Sequence, residues 1–299
     1  MKKSVSLLLA ALMLTGALAG CGSSASASDT QAEDGADSGV SGAITVISRE
    51  DGSGTRGAFI ELTGVEEKTA DGKKVDNTTA DAEIANKTDV VLTSVAGNGK
   101  AIGYISLGAL NDTVKAVKVD GAEATVDNVK AGAYKLSRPF NIATKGEPTG
   151  LAKDFINFIL SKEGQAVVTD NKYIAVNDAA ESFVSDGSSG QIAVGGSSSV
   201  SPVMEKLIEA YKSVNPNASI DLQTSDSTSG MTGAMDGTFA IGMASRELKD
   251  EEAAQLTGTA IALDGIAVIV NPANTIDELS MDQIKSIYVG DITDWGDLA

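Results

Sequence analysis

Histidine is missing altogether from this 299-residue chain, and cysteine occurs once. Without histidine the chain has neither the usual general base nor the commonest metal ligand. A single cysteine excludes an internal disulfide and any cysteine-built zinc cage. Aromatic residues make up only 4% of the chain, so Trp295 and the tyrosines read as packing groups rather than a stacking platform. Positive charge is scarce too: 23 Lys and Arg against 41 Asp and Glu leave a net charge of −18. So acidic a chain has no general attraction for nucleic acid or for anionic lipid surfaces. The longest apolar run, Val5 to Ala19, is too short to span a bilayer by default. What remains is a globular composition, 42% hydrophobic with 32 glycines, long enough for two modest domains.

That apolar run follows Lys2 and Lys3 and reads as the core of a secretory signal covering residues 1–20. It ends in Leu18-Ala19-Gly20-Cys21, which resembles the lipobox of bacterial lipoproteins. The resemblance implies cleavage before Cys21, lipid attachment there, and a protein anchored on the extracytoplasmic face of the cell membrane. An ordinary signal peptide with an incidental cysteine is the alternative. Residues 21–42 are mostly Ser, Ala, Gly, Asp and Glu, with almost nothing to bury, and read as a disordered tether.

Beyond the tether, apolar runs alternate with helical spacings, which argues for α/β. Short strands are expected at Ile44–Ile47, Val90–Val95, Ala101–Leu107, Val114–Val119 and Val167–Val176. A helix opening near Gly52 to Arg56 is expected to bury Ala58, Phe59 and Leu62, and a second is expected over Leu151–Leu160. Residues 66–88 are polar, and 177–190 form a polar spacer. After it come strands at Ile192–Val194, Ile220–Gln223, Phe239–Met243 and Ile261–Val270. Pro202 suits a first helical position behind Ser201, and Val203, Met204, Leu207, Ile208 and Tyr211 form one apolar stripe. Ser225 to Gly230 reads as a turn, and Ser280 to Gln283 has capping-box form at the start of a last helix.

The residues able to carry chemistry are serines, threonines and glycines between strands and helices. Gly196-Ser197-Ser198-Ser199, Ser227-Thr228-Ser229-Gly230 and Gly52-Ser53-Gly54-Thr55 share this design. Unpaired N–H groups at a helix start, with nearby hydroxyls and small side chains, suit a tetrahedral oxyanion. Any one such turn is ordinary capping; three in a chain lacking other chemistry point to a binding site. Arg49 can offer paired donors to an oxyanion, and Asp51 can hold that guanidinium; a surface ion pair is the plainer alternative. Neither G-x-x-x-x-G-K-[ST] nor G-x-G-x-x-G is expected in a nucleotide-binding context. A serine hydrolase would lack its histidine base, and no S-x-x-K stands beside these turns. No enzyme activity, metal or cofactor is expected.

Several stretches together resemble the phosphate-binding lipoproteins of bacterial high-affinity phosphate ABC transporters. They are Gly196 to Pro202, Ile241 to Leu248, Asp264 to Pro272, Ser48 to Arg56, Ala101 to Ser106 and Tyr134 to Pro139. The resemblance implies a type II periplasmic-binding-protein fold: two α/β lobes joined by two crossover strands, with the anion between them. It implies a monomer that takes inorganic phosphate and hands it to an ABC permease. A surface phosphate sensor, an adhesion module, or a binder of another tetrahedral oxyanion such as sulfate are the alternatives.

The order of the stretches differs from the family's. Residues 191–299 resemble the family's first part and residues 43–176 its second, so the chain reads as circularly permuted, with 177–190 joining the former ends. A truncated or misassembled tandem protein is the rival explanation. Lobe two is then expected from 43–112 and 269–299, and lobe one from 113–268. Carried over residue by residue, the anion contacts are Ser198 and Ser199, Ser229 and Gly230, and Arg49, Ser53, Gly54 and Thr55, with Asp51 orienting Arg49. In well-known members a carboxylate accepts the proton of hydrogen phosphate; here Ser245 stands at that position, and another carboxylate such as Asp264, beside the crossover, is the alternative.

Overall fold

The computed structural model describes residues 40–298; the signal segment, Cys21 and nearly all of the tether lie outside them. In chain order the first elements are β1 (Thr45–Arg49), α1 (Gly54–Thr63), β2 (Glu66–Lys68), β3 (Lys74–Asp76), β4 (Glu83–Ala85) and α2 (Thr88–Gly97). Then come β5 (Ala101–Ser106), β6 (Lys115–Ala116), β7 (Lys118–Val119), α3 (Val126–Lys130), β8 (Ser137–Thr144), α4 (Gly150–Leu160) and α5 (Lys162–Asp170). After the spacer follow β9 (Gly190–Ser197), α6 (Ser201–Val214), β10 (Ala218–Ser225), α7 (Ser227–Asp236) and β11 (Ile241–Ala244). The last are α8 (Asp250–Ala253), β12 (Thr257–Val270), β13 (Glu278–Leu279) and α9 (Met281–Val289). The α/β expectation holds.

One nine-stranded sheet runs β10-β9-β11-β8-β12-β5-β1-β4, with β6 beside β12. Strand β12 serves both ends: Thr257 to Gly265 pair with β8, and Ile266 to Val270 pair with β5. Two large apolar cores lie along this path. The first collects Ile47, Phe59, Val91, Tyr104, Tyr134, Leu136, Ile266, Tyr288 and Trp295. The second collects Phe140, Phe155, Phe158, Val203, Leu207, Tyr211, Met243 and Ile261. They divide near 136–140 and 262–266, not at 112 and 268. Val114, Val117, Val119, Val129 and Tyr134 face the first core because β6 and β7 are held by β12 and β13 there.

Several local expectations fail for reasons of packing. Val90–Val95 is helix rather than strand, because Val91 and Val95 lie against Gly103 of β5, where no side chain stands in the way. Residues 162–170 are helix α5, capped by Ser161 and burying Gln165 and Val168; of the expected strand only an isolated Ile174–Leu263 bridge remains. Helix α7 begins inside the expected turn, with Asp226 as its cap. Leu62, expected inside, is exposed. The capping box at Ser280 and the buried Ile284 and Ile287 of α9 are as expected.

Residues near 43 and near 294 are neighbours. Ala43 and Asp294 form an antiparallel bridge, the Ile44 amide donates to the Thr293 carbonyl at 2.8 Å, and Trp295 donates to Gly42 at 3.1 Å. The spacer is tied down as well: Phe183 packs on Phe158, and the Ser185 hydroxyl donates to Asp154 at 2.7 Å.

Candidate functional site

Strand β1 ends in Ser48 and Arg49, and its end is fixed from behind. Tyr104 stacks on Phe59 with ring centroids 3.9 Å apart, and its hydroxyl meets Ser48 Oγ and the Arg49 amide at 2.9 and 3.1 Å. The chain then turns through Gly52, at φ +86°, into α1, which Ser53 caps by accepting from the Arg56 amide at 3.3 Å. This caps one orphan donor and leaves the first amides of α1, Gly54 and Thr55, without intrahelical partners. Helix α2 starts behind Lys87 and helix α6 behind Val200, neither with a side-chain cap. The starts of α1, α2 and α6 therefore bring positive helix ends and free donors to one place.

Their side chains meet there. Arg49, 2% exposed, donates from Nη2 to Ser198 Oγ at 3.1 Å. Thr55 Oγ1 and Ser199 Oγ lie 2.8 Å apart, and Thr88 Oγ1 stands 3.4 and 3.3 Å from Ser198 and Ser199. Beside them Ser197 donates to Ser245 Oγ at 2.9 Å, and the Ser245 amide donates to Ser227 Oγ at 3.1 Å. A Cβ on Gly54 would run into Ser227 Oγ and Ser245 Oγ. Gly52, Gly54 and Gly57 do stand between a strand and a helix at dinucleotide-fingerprint spacing, contrary to expectation. The bare edge at Gly54 instead admits the hydroxyls of Ser227, from α7, and Ser245, from the end of β11.

Of the expected residues, Arg49, Ser53, Gly54, Thr55, Ser198, Ser199 and Ser245 come together. Asp51 does not orient Arg49. Its side chain is exposed and reaches only Arg56, at 3.7 Å. Glu50 takes that part, accepting from Arg49 Nε and Nη2 at 2.8 Å each. Ser229 is also displaced: it is exposed, and its amide and hydroxyl are both taken by Asp226. Gly230 is a packing residue, since a Cβ there would press on Gly196 Cα and the Met243 carbonyl. The hydroxyl that α7 contributes is that of Ser227, one helical turn behind Gly230. Thr88 was missed because residues 66–88 carry no apolar period to mark the start of α2.

Asp264 does not join the hydroxyls. It accepts from Ser106 Oγ at 2.9 Å and from Arg138 Nη2 at 3.2 Å, across paired positions of β8 and β12. Burial pushes its carboxyl up to about 6 against the pull of Arg138 and Ser106. Among the described residues no group of Cys, Asp and Glu is arranged to hold a metal ion.

A sheet shared by two cores, with a buried arginine and a cluster of hydroxyls where they meet, is an architecture found in binding proteins. The family model described as "PBP superfamily domain" matches residues 25–163 and 182–299, so the chain belongs to that superfamily. Within it, the chain falls in the family of PstS proteins. It is 50% identical to Phosphate-binding protein PstS 2 of Streptococcus agalactiae serotype V over 99% of this chain and 98% of that one. With PstS 2 of Streptococcus pneumoniae serotype 4 the identity is 49%, over 99% of both chains. The crystal structure of a phosphate-binding protein of a phosphate ABC transporter from Streptococcus pneumoniae TIGR4 matches with TM-score 0.69 at 50% identity. That match covers 86% of this chain and 100% of the other.

Proposed function

We propose that this chain captures inorganic phosphate outside the cytoplasm and delivers it to the permease of an ABC transporter. The observation that carries the reading is the buried guanidinium of Arg49 donating to Ser198 of the opposite core, beside the Thr55–Ser199 contact that joins the same two sides. The full-length relatives named as phosphate-binding proteins support the choice of anion. Arg49, the hydroxyls of Ser198, Ser199, Thr55, Thr88 and Ser227, and the amides of Gly54 and Thr55 act at short range. A net charge of −18 spread over the surface is screened beyond about 10 Å and does not forbid the anion. No reaction follows binding; the protein changes shape instead of substrate.

The two cores are read as two lobes of a type II binding-protein fold, with β8 and β12 as crossover strands. Closure brings Arg49 and Thr55 against Ser198 and Ser199, so the closed form is favoured by contacts only it offers. With Ser245 in place of a carboxylate, the proton of hydrogen phosphate is accepted by a hydroxyl, which can accept as well as donate. Cys21 carries the lipid that holds the protein to the membrane. The segment order is read as a circular rearrangement, which the bridge between Ala43 and Asp294 supports; the streptococcal relatives run in this same order along their length.

Titration of the purified chain with phosphate, arsenate and sulfate tests the reading. Phosphate and arsenate are expected to bind, with sulfate much weaker. Equal sulfate binding would make this a general oxyanion receptor, and no binding of any of the three would end the proposal.

A further inference from the structure

Outside the anion pocket, a second set of contacts joins the same two halves. The Thr228 amide and hydroxyl both donate to the Gly52 carbonyl, at 3.1 and 3.2 Å. Gly52 belongs to the β1–α1 turn of the first core, and Thr228 to the first turn of α7, which packs on β11 and β9 in a smaller cluster with Ala143, Ala244 and Leu256. Arg246 Nη2 donates to Thr228 Oγ1 at 3.2 Å, while its guanidinium grips Glu252 at 2.7 and 2.8 Å. Glu252, 2% exposed, also accepts from the Lys249 amide at 2.8 Å. Burial pushes its carboxyl up, but the Arg246 and Lys249 bonds outweigh this and hold it below its ordinary value. Arg246 thus directs the Thr228 hydroxyl proton towards Gly52, since a guanidinium only donates and occupies the acceptor side of that oxygen.

Gly52 is shaped for this approach. Its φ of +86° suits glycine, and a Cβ there would lie 2.6 Å from Asp226 Oδ1 and 3.3 Å from Thr228 Cβ. None of these groups reaches the hydroxyl cluster: Thr228 and Arg246 bond to Gly52, Glu247 and Glu252. We propose that Gly52 and Thr228, braced by Arg246 and Glu252, form a latch between the two halves that governs how long bound phosphate is held. Thr228 and Arg246 are positioning residues, acting on closure rather than on the ion. The inference rests on the phosphate-capturing reading above. A latch engaged only after closure slows opening and leaves capture alone.

The test is Thr228→Val in the full chain, which removes the hydroxyl and keeps the backbone donor. Release and capture of radiolabelled phosphate are followed by rapid filtration, alongside thermal unfolding without ligand. Release is expected to quicken about fivefold, the equivalent of one neutral hydrogen bond, with capture unchanged. The ligand-free melting temperature is expected to stay put, and Thr228→Ser to release phosphate at the wild-type rate. Unchanged release, slowed capture, a lowered ligand-free melting temperature, or a serine variant behaving like valine would each overturn the latch. Failure of the wild-type chain to bind phosphate would instead overturn the function on which it rests.

Discussion

Arg49 shows how one side chain is placed by what surrounds it. Its aliphatic stem is buried, its guanidinium is held by Glu50 at 2.8 Å and by the Ala85 carbonyl at 3.2 Å, and Nη2, already donating to Glu50, also donates to Ser198. Two neighbouring carboxylates could have oriented it, and sequence spacing does not choose between Glu50 and Asp51. The backbone turn does, sending Asp51 into solvent. Arg49→Ala is expected to weaken phosphate binding by about 2 kcal/mol or more, the loss of a charge-assisted hydrogen bond. Glu50→Gln is expected to weaken it several-fold, and Asp51→Ala to leave it within twofold. Calorimetric titration of the three variants decides; equal losses at positions 50 and 51 would contradict the assignment.

At the scale of elements, the join between α5 and β9 is held by one buried carboxylate. Asp154 of α4 accepts from Tyr211 Oη at 2.6 Å, Ser185 Oγ at 2.7 Å and the Asp186 amide at 3.0 Å. Burial pushes its carboxyl up, but these hydrogen bonds outweigh that and leave it below the ordinary value of 3.8. A folded-state value below the unfolded one contributes stability at neutral pH that is lost as pH falls through the folded value. Asp154→Asn is therefore expected to cost about 1–3 kcal/mol at neutral pH, with the deficit shrinking below about pH 4. Urea unfolding of both proteins across that range measures it, and a deficit independent of pH would count against the ionised carboxylate. Elements with a clear period, such as α4, α6 and α9, were legible in the residues. Elements whose identity depends on a neighbour were not: α2 is a helix because bare Gly103 accepts Val91 and Val95.

For the whole molecule, the meeting of residues 43 and 294 makes the order of segments a matter of where the backbone is cut. A chain running 190–298 and then directly 42–178 keeps every strand pairing of the sheet. It is expected to fold and bind phosphate within a few-fold of the parent, as measured by circular dichroism and calorimetry. Cuts at exposed turns are tolerated when the ends they join lie close together. A reordered chain that folds but does not bind would mean that the covalent link at 177–190 itself shapes the pocket. The division of the cores belongs to this scale too. Residues 113–136 go with the first core because β12 carries β6 to it, a pairing between positions more than 150 residues apart that no local pattern announces.

The residues alone determined the α/β alternation, the hydroxyl-rich turns and the arginine beside them, because each is a local pattern. Only the folded chain decided that Ser227 and Thr88 join the hydroxyl cluster, that Ser229 and Asp51 do not, and that Glu50 holds Arg49. Which of several neighbouring hydroxyls or carboxylates points inward depends on helix phase and turn geometry. Those are set by packing against strands far away in the sequence.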